Sequence, residues 1–148
     1  GYTMTVTAKR DNLRIIAVVL GEKEGKVRNS ETMELLNYGF DNYKVDLVKS
    51  KDEIIDNISI DKGNKDNINV YLKNDLLVLS KKSDKNIKYD YEVQINEIKL
   101  PLKNGDVIGK INLLNNNEVI KSEDLIIKDD VKKINFLKFI LNNIIEVL

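Results

Sequence analysis

Residues 87–95 read IKYDYEVQI, with an apolar or aromatic residue at every second position and a polar residue between each pair. Residues 67–72, NINVYL, show the same alternation. A period of two is typical of a β-strand that packs one face on a core and exposes the other. Similar short runs follow one another from Lys44 to Ile127, which predicts a small antiparallel β-sandwich or barrel.

Residues that favour turns separate these runs. They are Lys62-Gly63-Asn64, Lys73-Asn74-Asp75, Asn104-Gly105 and Asn115 to Asn117. Gly and Asn adopt the left-handed backbone conformation more readily than other residues, which is why they mark turns. Asn-Gly in particular is typical of the two-residue type I′ hairpin turn, so we expect that turn at Asn104-Gly105.

The first 20 residues predict a β-hairpin. Met4, Val6 and Ala8 alternate with polar residues, as in a half-buried strand. Residues 13–20 are almost continuously apolar, which is typical of a strand covered on both faces. Arg10, Asp11 and Asn12 lie between the two strands and favour a turn.

One helix is predicted after the hairpin. Asn29 or Ser30 is expected to cap its first turn, and we expect it to run to about Tyr38. Gly39 is placed where a left-handed C-terminal cap belongs. The residues predicted to share its apolar face are Met33, Leu36 and Phe40.

Composition excludes several classes of protein. The 24 basic and 24 acidic residues cancel and only 6% of residues are aromatic, so nucleic-acid binding is not expected. Since the chain contains neither Cys nor His, it has no disulfides, no thiolate zinc sites and no histidine-based triads. Asp61 and Asp66 lack the spacing of a calcium loop and are interpreted as loop residues. We expect no metal and no cofactor.

The segment from Val131 to Leu148 predicts an amphipathic helix, because its polar and apolar residues each recur three or four positions apart. Such a helix usually packs on the rest of a soluble domain. Aromatic side chains and lysines also suit a helix that lies in a membrane interface. The residues predicted to contact a membrane are Lys132, Lys133, Phe136, Leu137, Phe139, Ile140, Leu141 and Ile144.

Two stretches carry a resemblance to a known family. Residues 1–40 include GYTMTVTAKR, LRIIAVVLG and LLNYGF. This succession resembles the end of the catalytic domain of low-molecular-weight penicillin-binding proteins, which are serine D-alanyl-D-alanine carboxypeptidases. A second stretch, LPLKNGDVIGK at residues 100–110, is similar to a hairpin in their β-rich C-terminal domain. The order and separation of the two matches support the identification.

The resemblance implies an α+β chain that is mainly β. Residues 1–43 are expected to be the remnant of a catalytic domain, residues 44–128 the β-rich C-terminal domain, and residues 129–148 the amphipathic helix. That family uses Ser-x-x-Lys, Ser-x-Asn and Lys-Thr-Gly. We expect this chain to lack the three motifs, with the Lys-Thr-Gly strand just upstream of Gly1, so no catalytic residue is carried over.

The resemblance therefore predicts a non-catalytic C-terminal part of a carboxypeptidase that matures peptidoglycan. It would serve as a pedestal on the outer face of the cytoplasmic membrane, and the intact parent would bind the peptidoglycan stem peptide. Residues 3–20 are expected to pair with the missing catalytic half or with another copy. The alternative is a non-enzymatic envelope module that recruits a protein or glycan.

Overall fold

The computed structural model describes residues 1–85 and 87–134. These residues form two compact units. The first contains Gly1–Val48 and Leu77–Ile87, and the second contains Lys49–Leu76 and the described residues from Lys88 onward. The three-part division expected from the resemblance stays a prediction.

The first unit begins with the predicted hairpin, which the structure confirms. Strands β1 (Tyr2–Arg10) and β2 (Leu13–Glu22) pair antiparallel around a turn in which Asp11 has a φ of 50°. Helix α1 (Gly25–Asn42) packs against one face of this hairpin. The small core between them is formed by Ala17, Leu36 and Phe40, with Val6, Ala8, Leu13 and Ile15 packed around it.

The helix is longer than predicted at both ends. Its N-cap is Glu24, which makes no side-chain capping bond, so the caps expected at Asn29 or Ser30 were wrong. The buried positions are Thr32, Leu36 and Phe40, which recur every four residues, whereas Met33 is 57% exposed. The Thr32 hydroxyl donates to the carbonyl oxygen of Arg28 at 2.7 Å, so a polar side chain is accommodated on this face.

Gly39 lies inside the helix and not at a left-handed cap. A Cβ at this position would collide with the tip of Ile15 on β2. The glycine therefore permits a close approach of the helix to the strand. The glycine that the sequence suggested as a helix end is instead explained by the packing of the helix on β2.

Strand β2 is covered on one face only, so the prediction of cover on both faces was wrong for this chain. Ala17 and Val19 are buried, whereas Ile16, Val18 and Leu20 are 66%, 51% and 68% exposed. The single helix of this unit covers the face that carries Ala17. The apolar run from residue 13 to residue 20 therefore presents a whole row of aliphatic side chains to the surface.

A two-stranded ribbon completes the first unit. It pairs β3 (Tyr43–Lys49) with β6 (Leu76–Lys81). The Asp46 carboxylate ties the strands together, because it accepts a hydrogen bond from Ser80 Oγ at 2.8 Å and lies 2.9 Å from Lys44 Nζ. Just beyond β6, Lys82 Nζ donates to the carbonyl oxygen of Phe40 at 2.7 Å, where a cation suits the negative end of a helix.

The second unit is built on one antiparallel sheet. Its strands lie in the order β4 (Ile54–Ser59), β5 (Asn67–Leu72), β9 (Glu118–Ile127), β8 (Val107–Asn115) and β7 (Asp90–Ile95). The mainly β, antiparallel character is confirmed, although β7 begins at Asp90 and not at Ile87. The sandwich arrangement stays a prediction. The most deeply buried side chains of this unit are Ile68, Val70, Leu72, Leu76, Ile111, Leu113, Leu125, Ile127 and Val131.

Two turns of this sheet lie where the sequence predicted turns, and one of them differs in type from the prediction. Asn116 and Asn117 have φ values of 51° and 64°, so they form the type I′ turn between β8 and β9. At Asn104-Gly105 only Gly105, with a φ of 91°, is left-handed. Asp106 N donates to the Lys103 carbonyl oxygen at 2.9 Å, so this is a type II turn and the expected type I′ was wrong.

The last described residues do not begin a helix. Val131 and Leu102 exchange backbone hydrogen bonds of 2.8 and 2.9 Å, and Ile134 N donates to the Lys62 carbonyl oxygen at 2.9 Å. Residues 131–134 are therefore held in an extended conformation, and the helix start expected at Val131 was wrong. The rest of the predicted helix, residues 135–148, lies outside the described residues.

Candidate functional site

The outer face of the β1–β2 hairpin is the first candidate interaction surface. The register pairs Thr7 with Ile16 and Thr5 with Val18, so hydroxyl and aliphatic side chains form adjacent rows on this face. Single exposed aliphatic residues are common on soluble proteins, but a contiguous row marks an interaction site. This surface is suited to burial against apolar side chains of another element.

An apolar groove continues this surface. Its volume is about 390 Å³, and its lining comes from β2, α1, β3 and β6. The side chains that line it include Ile16, Val18, Leu35, Tyr38, Tyr43 and Leu79. Because β2 contributes consecutive residues to the lining, the groove follows the strand edge that faces away from β1.

Each hairpin strand also keeps one unpaired edge. Within the described residues the sheet contains β1 and β2 alone, so each strand pairs on one side. Free N–H and C=O groups along such an edge bind another strand readily. An extended segment that pairs with β2 would place its side chains along the apolar groove.

Two arginine side chains of the first unit, Arg10 and Arg28, make structural contacts. The Arg10 guanidinium stacks on the Phe40 ring at 4.3 Å, and Arg28 lies 5.8 Å from the Tyr2 ring. Arg28 also donates to Asn29 Oδ1 at 2.8 Å. The two arginines therefore make cation–π and hydrogen-bonding contacts within the unit.

Two carboxyl groups of the first unit titrate abnormally. The hydrogen bonds from Lys44 and then from Ser80 hold the pKa of Asp46 below its usual range. A hydrogen bond and charge repulsion from Glu22 raise the pKa of Glu31. Both groups lie in contacts between structural elements, which accounts for their shifts without a catalytic role.

Ser59-Ile60-Asp61-Lys62 does have the Ser-x-x-Lys spacing, so the expectation that this motif is absent was wrong in that respect. Ser59 is exposed at the end of strand β4, and Lys62 follows in a turn with a φ of 58°. The Lys62 ammonium lies 3.9 Å from Asp61 and its side chain is 72% exposed. An activated nucleophile needs its base held within hydrogen-bond reach, and this exposed turn provides no such unit.

The loop from residue 60 to residue 66 holds no metal cluster. Within residues 1–85 and 87–134, no group of three or more acidic side chains is placed to bind a metal ion. Ile60 N donates to the Asp66 carbonyl oxygen at 2.8 Å, so the two acidic residues belong to a closed loop. This confirms their interpretation as loop residues.

The second candidate surface is the extended C-terminal strap, residues 131–134. Asn64 holds it, because Lys132 N donates to Asn64 Oδ1 at 2.7 Å and Asn64 N donates to the Lys132 carbonyl oxygen at 2.9 Å. Lys132 and Lys133 are exposed here. The other predicted membrane residues, Phe136, Leu137, Phe139, Ile140, Leu141 and Ile144, lie outside the described residues. In the described part of the chain, no helix is long and apolar enough to span a bilayer.

Comparison with known families places these surfaces in context. Residues 43–133, most of the chain, match the family described as penicillin-binding protein 5, C-terminal domain. The chain belongs to this family. The match contains all five strands of the second unit and ends within the strap. The resemblance inferred from residues 100–110 is therefore confirmed.

Relatives extend the similarity to the hairpin and helix. The chain is 27% identical over 141 residues to D-alanyl-D-alanine carboxypeptidase DacF of Bacillus subtilis, which covers 94% of this chain and 36% of that protein. It is also 27% identical to D-alanyl-D-alanine carboxypeptidase DacC of Escherichia coli, over 92% of this chain and 34% of that protein. The chain thus spans about a third of the length of these relatives.

The fold agrees with a solved relative. Penicillin-binding protein 5 from Haemophilus influenzae is 25% identical and superposes with a TM-score of 0.72, over 90% of this chain and 39% of that one. Sequence reasoning found the family but missed the groove. The only sequence signal for the groove was the apolar run at residues 13–20, and that run does not show which face of the strand is exposed.

Proposed function

We propose that this chain is the C-terminal part of a serine-type D-alanyl-D-alanine carboxypeptidase and is not catalytic alone. One observation carries the proposal: the similarity to carboxypeptidases runs through 94% of the chain, from the hairpin into the C-terminal domain, while it spans 36% of DacF. A family match confined to the second unit would equally suit an independent binding module. The hairpin and helix continue the similarity beyond that domain.

The exposed face of the hairpin supports the proposal that a catalytic half binds this chain. Ile16, Val18 and Leu20 are each more than half exposed, and burial of one such side chain stabilises an interface by about 1.5–3 kcal/mol. The groove beside β2 accepts an extended strand. We therefore propose that a catalytic half carrying the nucleophile and Lys-Thr-Gly docks on residues 3–20.

Within the complete protein, the second unit would act as a pedestal. Its sheet buries a continuous core, so it forms a rigid support. The strap is anchored to this unit, because residues 131–134 bond to both Leu102 and the loop at residues 62–64. We propose that residues 135–148 bind the outer face of the cytoplasmic membrane, and that the substrate is the stem peptide of peptidoglycan.

Labelling with a fluorescent penicillin tests the catalytic proposal. The chain alone should show no acylation, because an acyl-enzyme requires an activated nucleophile beside its base. Addition of the N-terminal two thirds of a related carboxypeptidase, or of this chain's own upstream half, should give a stable complex that is labelled. Stoichiometric labelling of the isolated chain, lost in Ser59→Ala, would show that the active site is in this chain.

A pair of matched variants tests the docking surface. Val18→Lys introduces a charge into the exposed hairpin face, and Ile120→Lys introduces the same charge at a 44% exposed position of the second unit. Complex formation should weaken at least about tenfold with Val18→Lys, since an unpaired charge would be buried at the interface. Equal affinity for both variants would argue against docking on the hairpin.

Liposome co-sedimentation tests the membrane role. Binding to anionic vesicles should be lost when residues 135–148 are deleted, and when Phe136→Glu is combined with Leu137→Glu. Lys110→Glu together with Lys121→Glu provides a control with charge changes away from the strap. Vesicle binding that survives the first two changes would contradict a membrane role for the terminal segment.

A further inference from the structure

We propose that strand β7 is a self-association edge, through which a second copy of this chain extends the five-stranded sheet. β7 is the last strand of the sheet and pairs on one side with β8. Its residues Asp90 to Gln94 are all exposed. Among the described residues, its far edge has no backbone partner.

The orientation of the backbone shows which groups are free. Asn96 N donates to the Ile108 carbonyl oxygen at 2.8 Å, so this residue points its backbone groups toward β8. Residues of an antiparallel strand alternate in this respect. Residues 90, 92 and 94 therefore bond to β8, and Tyr91, Val93 and Ile95 present their N–H and C=O groups to the open edge.

The β4 edge and the β7 edge of the sheet differ in the features that prevent pairing with a strand of another molecule. At the opposite edge, the pairing of β4 with β5 contains a register shift between Ile54 and Asp56. Such a bulge twists an edge and makes it a poor template. The register of β7 on β8 is continuous over six residue pairs, and β7 contains neither Pro nor Lys. β7 thus lacks a bulge, Pro and Lys, and its only charged side chains are Asp90 and Glu92.

The sequence of β7 is complementary to itself in one register. A two-fold axis through Val93 sets Val93 opposite its copy and Tyr91 opposite Ile95, which are favourable apolar pairs. On the other face, Glu92 lies opposite Gln94, so a carboxylate meets an amide donor. An axis through Glu92 would instead place two carboxylates together. Since the chain has no net charge, no long-range repulsion opposes this association.

In this register, each face of the sheet in one copy continues into the same face of the sheet in the second copy. An axis at Val93 keeps the face of Tyr91, Val93 and Ile95 in one copy continuous with the same face of the other, because paired residues have the same parity. An axis between two residues would place the apolar face of one copy beside the polar face of the next. The proposed dimer has a continuous sheet of twice the strand number, joined by the backbone of three residues on each side.

Sedimentation equilibrium of the full chain tests the proposal through two charge changes at Gln94. In Gln94→Glu, the new carboxylate of each copy would oppose Glu92 of the other copy, so this change should raise the dimer Kd by about tenfold. Gln94→Lys should lower it several-fold, since lysine would pair with Glu92. Within one chain Gln94 lies opposite Lys110 in β8 and also hydrogen-bonds Glu92, so the melting temperature of each variant is measured beside its dimer Kd.

The melting temperatures separate the proposed contact from a structural effect. Weaker dimers in a chain whose melting temperature is unchanged or higher support the edge contact. An identical Kd for both variants, or a dimer that forms through residues 3–20 and ignores Gln94, overturns it. The wild-type chain remaining monomeric up to about 1 mM, beyond even weak physiological interfaces, overturns it as well.

A cross-link tests the register. The chain has no Cys, so Val93→Cys introduces a single thiol. Paired residues in the proposed ladder have Cα atoms about 5.5 Å apart, within the range of a disulfide. Oxidation should yield a covalent dimer from Val93→Cys and much less from Asn57→Cys on the β4 edge. Equal yields from the two variants would overturn the assignment of β7.

Discussion

The hairpin sheet of the first unit and the five-stranded sheet of the second unit both contain apolar strands but differ in cover. In the second unit, Val70, Leu72, Leu125 and Ile127 are fully buried on one face of the five-stranded sheet. In the first unit, the apolar run of β2 buries Ala17 and Val19 but exposes the alternate side chains. An apolar strand sequence indicates that both faces of the strand can be buried. Whether each face is buried depends on the elements that pack beside the strand.

Truncation of a core side chain should give the largest contrast. Leu72→Ala removes a fully buried side chain and should lower the free energy of unfolding of the second unit by about 2–5 kcal/mol, because a cavity remains. Leu20→Ala, at a 68% exposed position, should change stability by no more than about 0.5 kcal/mol. Hydrogen exchange, which reports each unit separately, checks both values. A large loss with Leu20→Ala would mean that the outer hairpin face is covered in this chain.

Two glycines provide the next contrast. A Cβ at Gly109 on β8 would collide with the backbone carbonyl oxygen of Gln94 on β7, so Gly109→Ala should destabilise the second unit by about 1–3 kcal/mol. A Cβ at Gly39 meets the movable end of the Ile15 side chain. Alanine also favours helix by about 1 kcal/mol, so Gly39→Ala should be close to neutral.

Urea denaturation with strand-specific hydrogen exchange measures the two effects. Protection of β7 amides should fall in Gly109→Ala and remain normal in Gly39→Ala. Gly39→Ala combined with Ile15→Val should be at least as stable as Gly39→Ala alone, because the shorter side chain relieves the contact. Equal costs for the two glycine variants would contradict the distinction between backbone and side-chain neighbours.

Acid should weaken the β3–β6 ribbon slightly. The pKa of Asp46 is lowered in the folded state, so its contribution is present above the ordinary value of 3.8 and is lost as pH falls through the folded value. The side chain is 40% exposed, which limits the effect to a few tenths of a kcal/mol. Thermal melts between pH 2 and pH 7 should show this dependence in the wild type and not in Asp46→Asn. Ser80→Ala should reduce it in part.

The smallest expected effect has the opposite sign. The raised pKa of Glu31 means that its favourable contribution is present below the ordinary value of 4.5 and is lost as pH rises through the folded value. Glu31→Gln should therefore raise the melting temperature slightly at neutral pH and have no effect in acid. Glu118→Gln on β9 is the control. A lower melting temperature for Glu31→Gln at neutral pH would contradict repulsion from Glu22.

The sequence by itself determined the features that depend on neighbouring residues. Alternation at residues 67–72 and 87–95 predicted strands, because side chains of a strand point to opposite faces in turn, and the structure has strands at 67–72 and 90–95. Asn and Gly identified the turns, since these residues tolerate a positive φ. The resemblance carried by residues 1–40 and 100–110 identified the family without any knowledge of the fold.

Only the tertiary structure decided the features that depend on distant residues. β9 lies between β5 and β8, and β3 pairs with β6, which no local pattern specifies. The role of Gly39 depends on Ile15, and the exposed face of β2 depends on which elements are available to cover it. Local propensities fix φ, ψ and facing within a few residues, whereas strand order and cover follow from long-range packing.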